Sequence, residues 1–466
     1  MGSQKVILFS AIVVGFILRM VNINQSFWLD EAAQMIESLR PLKEQFDLSA
    51  DFHPPLYHLL LHFWLYLGKS EIFARLPSVI LGVASIFVIY KIAKILKFNQ
   101  ASSAVAVLLA VSPYHIYYSQ EVRPYMLFLF LSALSIYFWL KKDTLKYFLI
   151  NILLLYTNYF ASFLLFAQFF TTLLLNKKRL KSELRSLIIS YLFLIPWLPK
   201  LLRQIEVGFG GGFVGWTQVV SESTWRNIPL TFAKFILGKA SFDNNLLYAS
   251  VLLPAVLIFL VSCFVIRKNK QGQLLLSLFF SSFLSTILVS LFAPLTAPQR
   301  LIFLLPLFLL IISSSVNFLS GKIFVLNYSL VLATNLLGLF LYYVNPSFQR
   351  ENWRQSVNFI SSRAPSNHLV LFAFPEPFAP FLWYNRGQLS ATGVAENFRV
   401  DDKMLSKLRR EIEDKDKIYY YAYLSELTDP EKKIRQVIKN SNFTLVQILN
   451  YPGVGFVYDY DKKIDN

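Results

Sequence analysis

The chain holds one cysteine in 466 residues, Cys263, and that residue lies inside an apolar run. This excludes a disulfide framework and any Cys-x-x-Cys metal site, and leaves the redox compartment unmarked. Charge is the second scarcity. Asp, Glu, Lys and Arg make up 16% of the residues, against roughly a quarter in soluble domains. Acidic residues are the scarcer sign, 28 against 45 Lys and Arg, for a formal net charge of +17. A nucleic-acid-binding protein would gather its basic residues on one soluble region. Here they fall in short segments between apolar runs, and no internal repeat or low-complexity tract interrupts the pattern.

What fills the chain instead is apolar. Hydrophobic residues account for 55%, with 44 Phe and 24 Tyr, a balance that suits membrane spans and aromatic interface belts. Apolar runs of helical length fall near 5–21, 72–93, 102–119, 124–140, 145–157, 159–175, 187–203, 246–266, 274–292, 301–317 and 323–343. A bilayer core needs about 20 apolar residues per helix, so the pattern predicts about eleven transmembrane helices. The first run, VILFSAIVVGFILRMV, lacks a small-x-small cleavage site and ends in Arg19 and its neighbours, so it reads as a retained span.

Charge sets the orientation. KIAKILK (91–97), KKDTLK (141–146), NKKRLKSELR (176–185), RKNK (267–270) and Lys322 alternate with connections almost free of Lys and Arg. By the positive-inside rule the basic segments and the N-terminus are cytoplasmic. The loops 22–71 and 204–245 and the C-terminus are then extracytoplasmic. Beyond 345, short β-rich runs (368–374, 417–424, 443–451) alternate with charged helical stretches such as EKKIRQVIKN. The expected organisation is a transmembrane domain over 1–345 and a small extracytoplasmic α/β domain over 346–466.

Unusual polar residues collect on the outer side. FWLDEAAQ (27–34) places Asp30 and Glu31 beside the first span. Ser26 is the expected N-cap of an amphipathic helix reaching about Leu39, with Met35, Ile36 and Leu39 toward the membrane surface. Asp30 and Glu31 then sit about 100° apart, so one of them faces a given ligand. Acidic residues are favoured near any helix N-terminus by a few tenths of a kcal/mol. That preference does not account for a carboxylate pair at the bilayer edge, where charge is costly, so Asp30 is the candidate catalytic group.

FHPPLYHLLLHFW (52–64) carries three of the five histidines. His58 and His62 have the i, i+4 spacing of a metal pair, but an interfacial helix with His, Tyr and Trp at headgroup level is the preferred reading. His53, held by Pro54 and Pro55, is the site candidate. Arg123 in SQEVRPY and Arg300 in APQRLIF are lone cations on the cation-poor side, and Arg suits bidentate phosphate contact. The alternative for both is a helix-end Arg that snorkels, with Glu121 as partner for Arg123. GFGGGFVGW (208–216) contains a formal G-x-G-x-x-G at Gly210, Gly212 and Gly215, but no strand precedes it. A mobile loop over the site, or a plain linker, is the expectation there.

With those residues in view, the chain resembles the glycosyltransferase family 39-like proteins, GT-C fold relatives of protein O-mannosyltransferases and lipid A aminoarabinose transferases. FWLDEA, HPPLYHLLLHFW, SEIFARLPSVILG, SQEVRPY, APQRLIFLLP and NWRQSVNFI…FLWYN carry the likeness. The resemblance implies transfer of a mannose-like hexose from a polyprenyl-phosphate donor to an acceptor hydroxyl on a protein, lipid or glycan, with inversion. The family's first-loop acid maps onto Asp30 as the base. Glu31, His53, Arg123, Tyr125 and Arg300 fall in the substrate-binding positions, with Arg123 and Arg300 facing the leaving phosphate. No cofactor is required by this reading. Some relatives carry a divalent metal near the first outer loop and others none, and the sequence offers no decisive ligand set. The setting is the cell (inner) membrane, with the active site extracytoplasmic. A lipid-sugar flippase would show ionisable residues at mid-membrane depth and repeat symmetry, and an assembly scaffold would have no use for Asp30, His53 and Arg123.

Overall fold

The computed structural model describes residues 2–48, 52–209, 224–292, 295–319, 321–396 and 399–463. It divides into two compact units. The larger holds the described residues of 1–23, 40–212 and 219–348, and the smaller those of 24–39 and 349–466. The chain begins with α1 (Gly2–Met20), α2 (Leu29–Ser38), α3 (Leu56–Trp64), α4 (Glu71–Ile95), α5 (Asn99–Val111), α6 (Pro113–Ser119) and α7 (Tyr125–Lys141). Of these, α2 belongs to the smaller unit.

The larger unit is helical, and each of the eleven apolar runs contains helix. Among the described residues six helices are long and apolar enough to cross a membrane: Ser3–Met20, Glu71–Ile95, Lys177–Val207, Asn245–Ile266, Lys270–Ser290 and Gly321–Val344. Five shorter apolar helices occupy the remaining runs. Polar caps start several of them. Ser70 accepts the N–H of Phe73, Asp143 that of Lys146, and Asn244 those of Leu246 and Leu247, which satisfies donors that have no partner inside a helix. The run at 102–119, expected as one helix, is two. Ser112 is extended (φ −62°, ψ 118°) and Pro113 opens α6, as the steric bar to helical backbone before proline requires. The segment read as an outer loop over 204–245 also contains a helix, Thr224–Leu237. The glycine-rich stretch 210–216 lies outside the described residues.

One buried cation ties the first helices together. Arg19 is fully buried and donates five hydrogen bonds. Nε reaches Ser119 Oγ at 3.1 Å, Nη1 the carbonyls of Gly15 (2.6 Å) and Ala110 (3.0 Å), and Nη2 the Leu109 carbonyl (3.2 Å) and His115 Nδ1 (2.7 Å). Guanidinium has five N–H donors and no acceptor, so all its capacity is used. Because Arg19 can only donate, His115 accepts through Nδ1 and carries its proton on Nε2, 3.0 Å from Ser85 Oγ. Ser85 in turn donates to the Gly82 carbonyl at 2.7 Å. The sequence suggests neither member of this lock, since its partners stand up to 100 residues apart. Gly82 is required where α4 passes it: an added Cβ would lie 2.3 Å from Ser119 Oγ. Gly82→Ala should therefore destabilise the protein by about 1–3 kcal/mol, read as a lowered melting temperature in detergent, and an unchanged melt would show that Ser119 can move aside.

The smaller unit is α/β. Its mixed sheet has the order β2-β1-β3-β5-β4, with β1 His368–Phe372, β2 Ala391–Gly393, β3 Lys417–Tyr421, β4 Phe443–Tyr451 and β5 Gly455–Lys462. β1 pairs in parallel with β2 and β3, while β5 is antiparallel to β3 and β4. Alternate residues of β1 feed opposite faces, as the two-residue period of a strand demands. Leu369 and Leu371 join one core with helices Asp402–Ile412 and Lys433–Asn440. Val370 and Phe372 join the other with Trp353, Val357 and Phe381. The runs 368–374, 417–424 and 443–451 are strands as expected. β5 went unread because GFVYDYDK carries two aspartates and a lysine; Asp459 is buried there, 3.0 Å from Lys417 Nζ.

The segment 24–38 is stitched into this unit. Arg350 N–H donates to Gln25 Oε1 (2.8 Å), Arg354 Nη2 to the Asn24 carbonyl (3.0 Å) and Phe27 N–H to the Tyr384 hydroxyl (2.8 Å). The Phe27 ring meets Trp383 edge-on at 5.5 Å, and α2 packs on helix Ala379–Asn385.

Candidate functional site

The sequence candidates divide between the units, and each group is described within its own. Asp30 and Glu31 lie in the smaller unit, in the first turn of α2. The helix starts at Leu29, two residues later than a cap at Ser26 would give. The Ser26 hydroxyl instead donates to the Glu351 carbonyl. Trp28 holds the N-cap position without a side-chain bond to the helix. Asp30 is half-buried, whereas Glu31 is fully buried. Glu31, the other candidate of this pair, is thus an interior side chain of the unit in the absence of ligand. Met35, expected toward a membrane surface, is likewise fully buried.

A second carboxyl of this unit, Glu351, carries no signal in the sequence. Glu351 accepts the Trp353 indole N–H on Oε2 (2.7 Å) and the Tyr423 hydroxyl on Oε1 (2.9 Å). Burial pushes this carboxyl above the ordinary glutamate range, and its hydrogen-bond donors oppose the rise. Burial and the Glu351 charge hold the Tyr423 phenol well above its usual value, so it stays a donor. The Arg350 guanidinium lies 5.8 Å over the Trp28 ring. The unit thus offers a half-exposed carboxylate on a helix start whose neighbours are fixed.

The larger unit holds His53, Arg123, Tyr125 and Arg300. His53 is half-buried ahead of Pro54–Pro55, and its carbonyl accepts Gln204 Nε2 at 3.3 Å. Its ring meets Tyr125 edge-on at 6.4 Å. Tyr125, the first residue of α7, continues into an aromatic array through Tyr118 (4.8 Å), Tyr114 (4.9 Å from Tyr118) and Tyr117 (5.1 Å from Tyr118). Arg300 donates to the Leu295 carbonyl (3.0 Å) and lies 5.9 Å over the Phe160 ring. Arg123 is half-buried in the turn between α6 and α7. Within this unit His53 therefore meets Tyr125. Lys239, which the sequence reading passed over, joins the same array with Nζ 4.7 Å over Tyr117. Phenols and cations on a rigid aromatic base can hold an anion by charge-assisted hydrogen bonds.

His58 and His62 are buried in α3, with His62 Nε2 3.3 Å from the Tyr66 hydroxyl. Among the described residues no three His, Cys, Asp or Glu side chains gather to hold a metal ion.

Comparison with known proteins gives the fold. Residues 52–202 match the family model described as dolichyl-phosphate-mannose-protein mannosyltransferase. The whole chain is similar in fold to ArnT from Cupriavidus metallidurans in the apo state, at 10% identity and TM-score 0.61 over 98% of each chain. The same enzyme bound to undecaprenyl phosphate matches at 12% identity with TM-score 0.61, again over 98% of each. The Archaeoglobus fulgidus oligosaccharyltransferase, in complex with Zn and sulfate, matches at 10% identity and TM-score 0.52 over 97% of this chain and 72% of that one. No curated protein matches the sequence. The fold is therefore that of the GT-C membrane glycosyltransferases. The chain is a multi-pass membrane protein with that fold and a C-terminal sheet unit.

Proposed function

We propose that this protein is a glycosyltransferase that moves a mannose-like hexose from a polyprenyl-phosphate donor to an acceptor hydroxyl on a protein, lipid or glycan. The observation that carries the reading is the match of residues 52–202 to a family defined by a lipid-phosphate mannose donor. It is supported by the likeness in fold to an enzyme whose structure holds undecaprenyl phosphate. In the proposed step Asp30 takes the proton of the acceptor hydroxyl as its oxygen attacks the anomeric carbon. The bond from that carbon to the phosphate oxygen breaks, its electron pair leaves with the polyprenyl phosphate, and the configuration inverts. Arg123 and Arg300 stabilise the charge growing on the phosphate, with His53 and Tyr125 lining the donor. A divalent metal is not required for this balance. Incubating the purified protein with a panel of polyprenyl-phosphate sugars tests the donor class: release of free lipid phosphate from one of them supports it, and release from none removes it.

A flippase reading draws no support from the buried Arg19, because every donor of that side chain is already bound within the helices.

The reading includes a cell-membrane location with the chemistry on the extracytoplasmic face, from the distribution of Lys and Arg. Cysteines introduced at Leu184 and Asn440, one in each of the segments assigned to opposite sides, should label from opposite sides in a background where Cys263 is replaced. Labelling of both from the same side would defeat this orientation.

A further inference from the structure

We propose that the larger unit binds the headgroup of an ethanolamine phospholipid in a cavity at the basic end of its helices. This is the end that the Lys and Arg distribution assigns to the cytoplasm, and the site is independent of Asp30. A cavity of about 250 Å³ is walled by the last turn of α7, the start of α8 (Thr144–Leu155), and the start of α10 (Leu180–Leu192) with the turn before it. α7 stops where Lys142 turns left-handed at φ 62°, its N–H on the Trp139 carbonyl at 3.2 Å. Asp143 is occupied at once: it caps α8 through the Lys146 N–H (3.2 Å) and pairs with Lys146 Nζ (3.3 Å). The charged groups left facing a ligand are then Lys142, Lys178, Arg179 and Glu183.

Two of these keep unused bonding capacity. Guanidinium has five N–H donors, and Arg19 spends all five. Among the described residues Arg179 spends one, Nη2 to the Trp139 carbonyl at 3.1 Å, with the guanidinium 6.0 Å over the Trp139 ring. Glu183 is only 4% exposed. Its Oε2 accepts the hydroxyl of Thr172, which lies on α9 (Ala161–Leu175). Its Oε1 and the indole N–H of Trp139 are buried, and neither completes a hydrogen bond. A buried carboxylate oxygen without a donor is costly, and a ligand that brings N–H groups removes the cost.

The charges select the ligand. Three cations are wrong for a metal ion or a polyamine, and a buried carboxylate is wrong for a plain anion. A phosphodiester beside a primary ammonium satisfies both: the phosphate takes charge-assisted hydrogen bonds from Arg179 and the lysines, and the ammonium donates to Glu183 Oε1. A lipid is the source because apolar ridges begin beside the wall. Leu145, Leu149 and Leu153 on α8, and Leu184, Ile188 and Leu192 on α10, are exposed. Their four-residue spacing puts each set on one helix face, and the two helices pack together, which suits a pair of acyl chains.

The test is lipid binding to the full-length protein, read by native mass spectrometry from detergent with dioleoyl lipids at matched concentration. Phosphatidylethanolamine should bind tightest. Phosphatidylcholine has the same charges but no N–H on its nitrogen, and phosphatidylglycerol has no nitrogen, so each should bind about 10-fold or more weaker. Arg179→Ala should weaken phosphatidylethanolamine by about 10- to 150-fold. Glu183→Gln keeps an oxygen for Thr172 and should bring phosphatidylethanolamine down to the level of phosphatidylcholine, with phosphatidylglycerol unchanged. Either control lipid bound as tightly as phosphatidylethanolamine overturns the headgroup assignment, and wild-type affinity in Arg179→Ala overturns the site. If that variant does not fold, an unaltered preference in both Lys178→Ala and Glu183→Gln overturns it instead. Free phosphoethanolamine that displaces the lipid at equal concentration overturns the lipid as the source.

Discussion

Asp30→Asn should lower turnover by about 10²–10⁴-fold, the usual loss when a general base is removed, while donor affinity and membrane insertion stay near normal. The substitution keeps the size of the side chain and one of its oxygens. Asn is as acceptable as Asp at the start of a helix, so α2 should begin at Leu29 as before. What disappears is the group that receives the proton of the acceptor hydroxyl. Asp30 is half-buried, so it has a face that a substrate can reach, whereas its neighbour Glu31 has none. Glu31→Gln should accordingly do less to turnover. Full activity in Asp30→Asn with none in Glu31→Gln would reverse the assignment within FWLDEAAQ. Full activity in both would make the pair structural.

Arg123→Ala should weaken donor binding by roughly 1.5–3 kcal/mol, the range for a hydrogen bond to a charged group. That is roughly a 10- to 150-fold higher donor Kd. The residue sits in the short turn between α6 and α7, two positions before Tyr125, whose ring contacts His53 and Tyr118. Removing the guanidinium leaves those aromatic contacts in place, so the melting temperature should move much less than the affinity. Arg123→Lys should restore part of the charge but not the two-pronged geometry that guanidinium offers a phosphate. A titration in which the alanine variant binds lipid-phosphate sugar as tightly as wild type would make Arg123 a packing or topology residue.

The parts of this molecule legible in sequence are those set by local pattern. Apolar runs mark the helices of the larger unit, and short β-rich runs mark β1, β3 and β4. FWLDEAAQ was legible as a helix start with two acids, and His53 through its diproline. What the sequence hid depends on distant partners. Ser26 looks like an N-cap until its hydroxyl is seen on the Glu351 carbonyl, 325 residues away. Glu351 precedes the NWRQSVNFI stretch and looks like an ordinary acid. Its surroundings come from Trp353 and Tyr423, which the fold alone brings to it. Arg19 reads as the basic end of a span, yet its five donors are consumed by Gly15, Leu109, Ala110, His115 and Ser119. The residues 24–38 follow the same rule. A segment between two apolar runs reads as a loop, and only the bonds to Arg350, Arg354 and Tyr384 show that it is part of the C-terminal unit.

The central claim is that Asp30 serves transfer of a sugar from a lipid phosphate. The most direct measurement follows purified wild-type protein and Asp30→Asn side by side on one polyprenyl-phosphate sugar with an acceptor, counting liberated lipid phosphate and glycosylated product. The account predicts the two products in equal amounts from the wild type, with the anomeric configuration inverted, and a rate lower by about 10²-fold or more from the variant. Lipid phosphate released at equal rates by both proteins, or a product of retained configuration, would contradict it.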